Sequence, residues 1–272
     1  MPWMIPSHQA LVLPLKSRKP RTFCGLGLVF GSAAPDLAYI LRLEDNAIAA
    51  HTFVGQLYVT VSLVLVLHWT ATALVFPWLA PYVPTGAPMH LDRVMRSRPA
   101  HSLGEWARLA FSALIGGLTH VGLDGFTHGN HVGWARHYFP ALSHSLPLSN
   151  GSVPVYEVLQ VALTILLGIV SLVLWQRMAV RDAEGLDRTH RFAQRSSARG
   201  RLLGLLIALA AAGAVIAIGL HPESPLERRA ELAFYGAIAF PIYALVLAPL
   251  FERVRRLLTA PANDPRMARE EL

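Results

Sequence analysis

The chain has 272 residues, 53% of them hydrophobic and only 15% charged, with a mean hydropathy of +0.41. Charged residues make up about a quarter of an ordinary soluble domain, so this composition excludes a typical soluble enzyme and points to a bilayer. The formal charge of +7 does not signal nucleic-acid binding, because the basic residues lie between apolar segments, with no aromatic-interleaved patch or groove pattern near them.

The N-terminus does not read as a secretory signal. Prolines and His8 precede the basic run KSRKPR, and no long apolar stretch with a small-residue cleavage site follows. Residues 7–15 and 22–34 are apolar but too short to span a bilayer at about 1.5 Å rise per residue. They are expected to form a short re-entrant hairpin broken at Pro20 and Pro35, a form tolerated only where protein or water surrounds it. PSHQA sets His8 near the start of this region. GSAAPD sets Asp36 after a proline expected to end the helix, behind small residues that let other backbones approach. Cys24, the single cysteine, excludes an internal disulfide and a cysteine-based zinc site.

Long apolar segments follow. About 20 apolar residues suffice to cross a membrane, and 57–83, 104–123, 158–175, 202–220 and 232–251 qualify or nearly so. AAHTFVG places His51 at the entrance of the first, with Gly55 one turn further on; His68 is the only interruption in its middle. The segments lack the polar faces that buried helices of a soluble protein would need, and alternating strand patterns are absent. The expected fold is all-α: a polytopic helical membrane protein with about four to six membrane-embedded helices. Residues 1–155 form a metal-site core, 156–258 a three-helix membrane portion and 259–272 a disordered tail.

Topology follows from arginines. The loop 177–201 holds Arg177, Arg181, Arg188, Arg191, Arg195, Arg199 and Arg201 against three acids, and Arg253, Arg255 and Arg256 flank the last segment. The positive-inside rule puts both in the cytoplasm. Counting back, His51, the 120–131 cluster and the loop 132–155 meet at the exoplasmic face of a bacterial cytoplasmic membrane.

The stretch THVGLDGFTHG places His120, Asp124 and His128 at i, i+4 and i+8, on one face of a continuous helix. His120 and His128 would then stand about 12 Å apart along the axis, too far to share an ion. Either two ions meet near Asp124, or the helix ends at Gly125 or Gly129 and His128 folds back. Imidazole and carboxylate suit zinc, manganese or iron. Such groups at segment ends need partners if buried, although a histidine at a helix end is often only hydrogen-bonded to a carbonyl or water. Arg136 could hold a phosphate oxygen, and Glu157 and Gln160 could orient a metal-bound histidine. His131, His137 and His144 fall in the loop.

The motifs PSH (6–8), LVLPL (11–15), GSAAPDLAYIL (31–41), HTFVG (51–55) and GLTHVGLDGFTHG (117–129) together resemble a bacterial family of multi-pass membrane proteins built on a domain of unknown function. More remotely the pattern is similar to membrane-bound metal-dependent hydrolases grouped with the zinc phospholipase C and nuclease superfamily. The resemblance implies that His8, Asp36, His51, His120, Asp124 and His128 are metal ligands. The chain departs from the family in carrying Thr52 after His51, where Ser is common, and Trp3 is no evident counterpart of the N-terminal Trp of the soluble phospholipases.

The expected function is therefore a metal-dependent hydrolase of the membrane surface. Its substrate would be an amphiphilic or lipid phosphate ester, its cofactor one or two divalent ions, and its catalytic groups Asp36, Asp124 and Arg136. The alternatives are a small ion or metal transporter, whose site would lie nearer the midplane, and a non-enzymatic membrane scaffold.

Overall fold

The computed structural model describes residues 5–41, 44–84, 91–129, 132–148, 151–181, 196–220 and 223–259. The remaining residues, among them His131, most of the arginine-rich loop and the tail after Thr259, lie outside the described residues.

The protein is helical, and five of its helices are long and apolar enough to cross a membrane: Gln56–Tyr82, Leu103–Thr127, Val155–Met178, Arg199–Gly219 and Leu232–Arg255. In chain order the elements are α1 (Ile5–Arg18), α2 (Gly25–Ile40), α3 (Glu44–Ala50), α4 (Gln56–Tyr82), α5 (Leu103–Thr127), α6 (Val155–Arg181), α7 (Ser196–Gly219) and α8 (Leu226–Thr259). Helices α1 and α2 form the expected hairpin, turning at residues 19–24. Pro20 lies in that turn. Pro35, however, does not end a helix: α2 runs through it to Ile40. Its missing N–H leaves one carbonyl on the preceding turn unbonded, and the small residues there leave the ring room.

The centre of the molecule is the crossing of α2 with α5, and small residues make it close. Gly27 and Gly31 of α2 lie on Leu109, Ser112 and Ala113 of α5, while Gly116 of α5 lies on Leu28 and Ser32 of α2. A Cβ at Gly31 would collide with the Ala113 backbone. Apolar side chains gain no hydrophobic advantage from leaving lipid for protein, so dense backbone contact of this kind is what holds two membrane helices together. Gly117 leaves the space that the Gln56 amide fills, and that amide donates to the Ala50 carbonyl. Two wider turns of π type, Gln56–Thr60 and Ala71–Val75, interrupt α4.

Helix α5 starts at Ser102, whose hydroxyl accepts from the Glu105 N–H at 3.2 Å, with the Glu105 carboxylate reaching back to His101 N–H. It ends at Thr127, and His128 is already extended (φ −119°, ψ 147°).

Helix α1 is covered by α2 and α6, and α7 pairs with α8. The α7–α8 pair meets through facing Gly213 and Gly236. Helix α8 reaches the core through Tyr235 and Ala239 against Ile40, and through Glu252, which accepts from Trp78 Nε1 at 2.9 Å. One departure from the all-helical expectation is a small antiparallel pair, Ser145–Leu148 with Gly151–Pro154, in register Ser145↔Pro154 and Leu148↔Gly151. Strands of four residues are too short to leave a period in the sequence.

Candidate metal centre

Four helices bring ionisable side chains to one end of the molecule. His8 stands near the N-terminal end of α1, Asp36 near the C-terminal end of α2, His51 just before α4, and His120 and Asp124 in the last two turns of α5. His8, His120 and Asp124 expose only 1%, 0% and 2% of their surface, and Asp36 and His51 only 8% and 6%. Charges and imidazoles so enclosed need strong partners.

Two backbone carbonyls set the ring orientations. His51 Nδ1 lies 2.8 Å from the Ala47 oxygen, and His120 Nδ1 lies 2.8 Å from the Ser32 oxygen. A carbonyl can only accept, so each Nδ1 carries a proton and each Nε2 is left to face the cluster. These two Nε2 atoms are 3.4 Å apart. Asp124 Oδ2 stands 3.1 Å from His120 Nε2 and 3.7 Å from His51 Nε2, and Asp36 Oδ1 stands 3.9 Å from both. Two ring nitrogens and two carboxylate oxygens thus face one point, an arrangement that could hold a metal ion. A tetrahedral ion with bonds of about 2.0–2.1 Å has neighbouring ligands about 3.3–3.4 Å apart, close to the separations among His51, His120 and Asp124.

The other oxygen of Asp124 faces a second set. Oδ1 lies 3.4 Å from His8 Nε2 and 3.7 Å from His128 Nδ1. His8 stacks on His120 with ring centroids 3.9 Å apart, and neither of its ring nitrogens has a hydrogen-bond partner among the described residues. His8, His120 and Asp124 form one group that could hold a metal ion, and Asp36, His51 and His120 form another. The single lone pair of His120 Nε2 can serve one ion only. Asp124, with one oxygen toward each set, is the residue able to bridge two.

Burial favours the neutral imidazole at His8, His51 and His128, the form that binds a metal. Enclosure, and secondarily His120, push His51 down to about 4. Enclosure likewise pushes His8 and His128 below the ordinary histidine value. Burial raises the Asp36 carboxyl to about 6, with His120 opposing and Asp124 adding to the rise.

A family model described as Domain of unknown function (DUF4184) matches residues 1–250. The chain belongs to the DUF4184 family. No curated protein and no solved structure matches it.

All six residues singled out from the motifs of this DUF4184 chain meet in the cluster. His128 does so because α5 stops at Thr127, so that its ring turns back toward Asp124. Gln160, one turn into α6, lies with Nε2 3.3 Å from His128 Nε2, where an orienting residue is expected. Glu157 is exposed. Arg136 lies in the segment after the cluster with its guanidinium 5.3 Å over the Tyr156 ring, and that ring packs on Gly129. His137 and His144 are exposed, and His68 lies far down α4. Sequence reasoning did not find the carbonyls of Ser32 and Ala47, since a backbone acceptor leaves no residue-type signal. It also missed Trp134, which donates to the Val121 carbonyl at 3.1 Å and packs on Gly125.

Proposed function

We propose that this chain is a metal-dependent hydrolase acting at the membrane surface on a phosphate ester of a lipid. The observation that carries the reading is the convergence of His51 Nε2, His120 Nε2, Asp36 Oδ1 and Asp124 Oδ2 on one point. Those residues would hold a divalent ion, zinc before manganese or iron given the imidazole and carboxylate donors. His8 and His128 would hold a second through Asp124 Oδ1. Bound there, such ions supply Lewis-acid chemistry at a phosphoryl oxygen.

The chain's own residues would do the rest. The bonds to Ser32 and Ala47 fix both rings before substrate arrives. Asp36, through the carboxylate oxygen not turned to the ion, would take a proton from an attacking water. Arg136, beside Tyr156, would hold a second phosphate oxygen. The remote motif likeness to membrane-bound hydrolases agrees with this assignment.

Placement supports an amphiphilic substrate. The cluster occupies the N-terminal ends of α1 and α4 and the C-terminal ends of α2 and α5. The basic residues Arg18, Lys19, Arg21, Arg93, Arg96 and Arg98 lie at the opposite helix ends. With the basic end cytoplasmic, as the positive-inside rule favours, the cluster would lie on the exoplasmic side of a bacterial cytoplasmic membrane.

A second reading, transport of the ion itself, draws on the near-complete enclosure of the ligands. One experiment separates the two: purified protein, its metals counted by mass spectrometry, is assayed with a chromogenic phosphodiester and with short-chain phospholipids. The hydrolase reading expects metal-dependent ester cleavage lost in Asp36→Asn. Stoichiometric metal without cleavage of any of these esters, together with metal uptake into proteoliposomes, would favour transport.

A further inference from the structure

The opposite end of the same helices holds a cavity of about 420 Å³, within the range of small-molecule sites. From Leu109, on its wall, to His120 is eleven residues of α5, about 16 Å along the axis, so this cavity is separate from the metal centre.

Its lining divides by chemistry. Lys16, Arg93, Arg98 and Arg108 supply basic groups; Arg98 is bonded to Glu105 at 2.8 Å, and Lys16 donates to the Pro20 and Phe23 carbonyls. These residues come from three places: the end of α1, the 91–100 segment and the first turns of α5. Arg108 ties two of them by donating to the Arg21 carbonyl at 3.3 Å. The deeper wall is apolar: Val12, Leu13, Leu28 and Leu109 expose at most 3% each. At depth the cavity also meets His68, buried in α4, whose Nδ1 has no hydrogen-bond partner among the described residues.

We propose that this cavity binds an anionic amphiphile, a phosphate-bearing head on an acyl chain. The head would lie among Arg93, Arg98, Arg108 and Lys16, and the chain would run along Leu13 and Leu109 toward His68. A basic pocket between membrane helices at the arginine-rich face is the setting in which anionic lipid heads are recognised, and guanidinium groups bind phosphate oxygens in pairs. A zwitterionic phosphatidylcholine head would bring its own quaternary ammonium among these basic residues. A free phosphate would leave the apolar wall unfilled.

The test is native mass spectrometry of the full chain released from detergent, offered phosphatidylglycerol, phosphatidylcholine or inorganic phosphate. The expected result is one phosphatidylglycerol retained per chain, with phosphatidylcholine about 10-fold weaker. The double variant Arg93→Gln with Arg108→Gln should bring phosphatidylglycerol down by about the same factor, that of one to two charged hydrogen bonds. Ala100→Trp, which would enter the cavity from its loop side without replacing a helical residue, should reduce retention of both lipids and keeps the test open if the double variant fails to fold. Equal retention of the two lipids, or unchanged retention in either variant, overturns the site. Displacement of phosphatidylglycerol by inorganic phosphate at matched concentration overturns the acyl-chain half of the assignment.

Discussion

Helices α5 and α6 are both long enough to cross a membrane, yet they solve different solvation problems. Half of the most apolar window of Leu103–Thr127 is buried by protein, with a mean hydropathy of 1.3; for Val155–Met178 the figures are 6% and 2.5. Helix α5 carries Ser112, Gly116, Gly117, His120 and Asp124, all buried. Helix α6 carries no ionisable residue between Glu157 and Arg177. Polar groups stand only where neighbouring helices, not lipid, surround them. The lower hydropathy of α5 therefore marks the helix around which the site is built.

Four measurements can break or sharpen that contrast. The largest effect is expected at the point where the two ligand sets join: Asp124→Ala should abolish bound metal, read by elemental mass spectrometry on folded protein, and retention of the wild-type metal content would refute the bridging role. Next is the crossing that buries α5. Gly31→Leu forces a side chain into the Ala113 backbone and should destabilise by about 3 kcal/mol or more, seen as a lower Tm in detergent; an unchanged Tm would mean the close contact is dispensable. Smaller is Gln160→Ala, which removes the group beside His128 and should weaken metal binding about 10-fold in a competition titration, with secondary structure intact. Smallest is Ile165→Ala on the open face of α6, where the side chain is 60% exposed; it should change stability by no more than about 0.5 kcal/mol. A large loss there would show that α6 has a protein neighbour on that face.

Much of this was legible beforehand, for reasons that differ by residue. The spans announce themselves because backbone polar groups in lipid must be satisfied within the segment, which makes long apolar runs unambiguous. His120 and Asp124 were legible because a helical period places them on one face, and His128 because a helix ending beside Gly129 lets it fold back. His8, Asp36 and His51 were visible as ionisable groups at helix ends, but that they converge on Asp124 depends on the α2–α5 crossing, which sequence spacing does not encode. Pro35 misled because a proline in an isolated helix ends it, whereas here packing on α5 supports the helix on both sides of it. The short strands at 145–154 and the carbonyl anchors at Ser32 and Ala47 left no pattern to read.

The place of His8 on α1 has a further consequence. At 14 residues α1 is about 21 Å long and cannot span a bilayer alone, and its link to the cluster is His8, whose Nε2 lies 3.4 Å from Asp124 Oδ1. An ion held by both would make metal affinity and the anchorage of α1 a single linked equilibrium. Depleting the metal would then loosen the N-terminal hairpin first, and the chain would register metal scarcity as protease sensitivity at its own N-terminus.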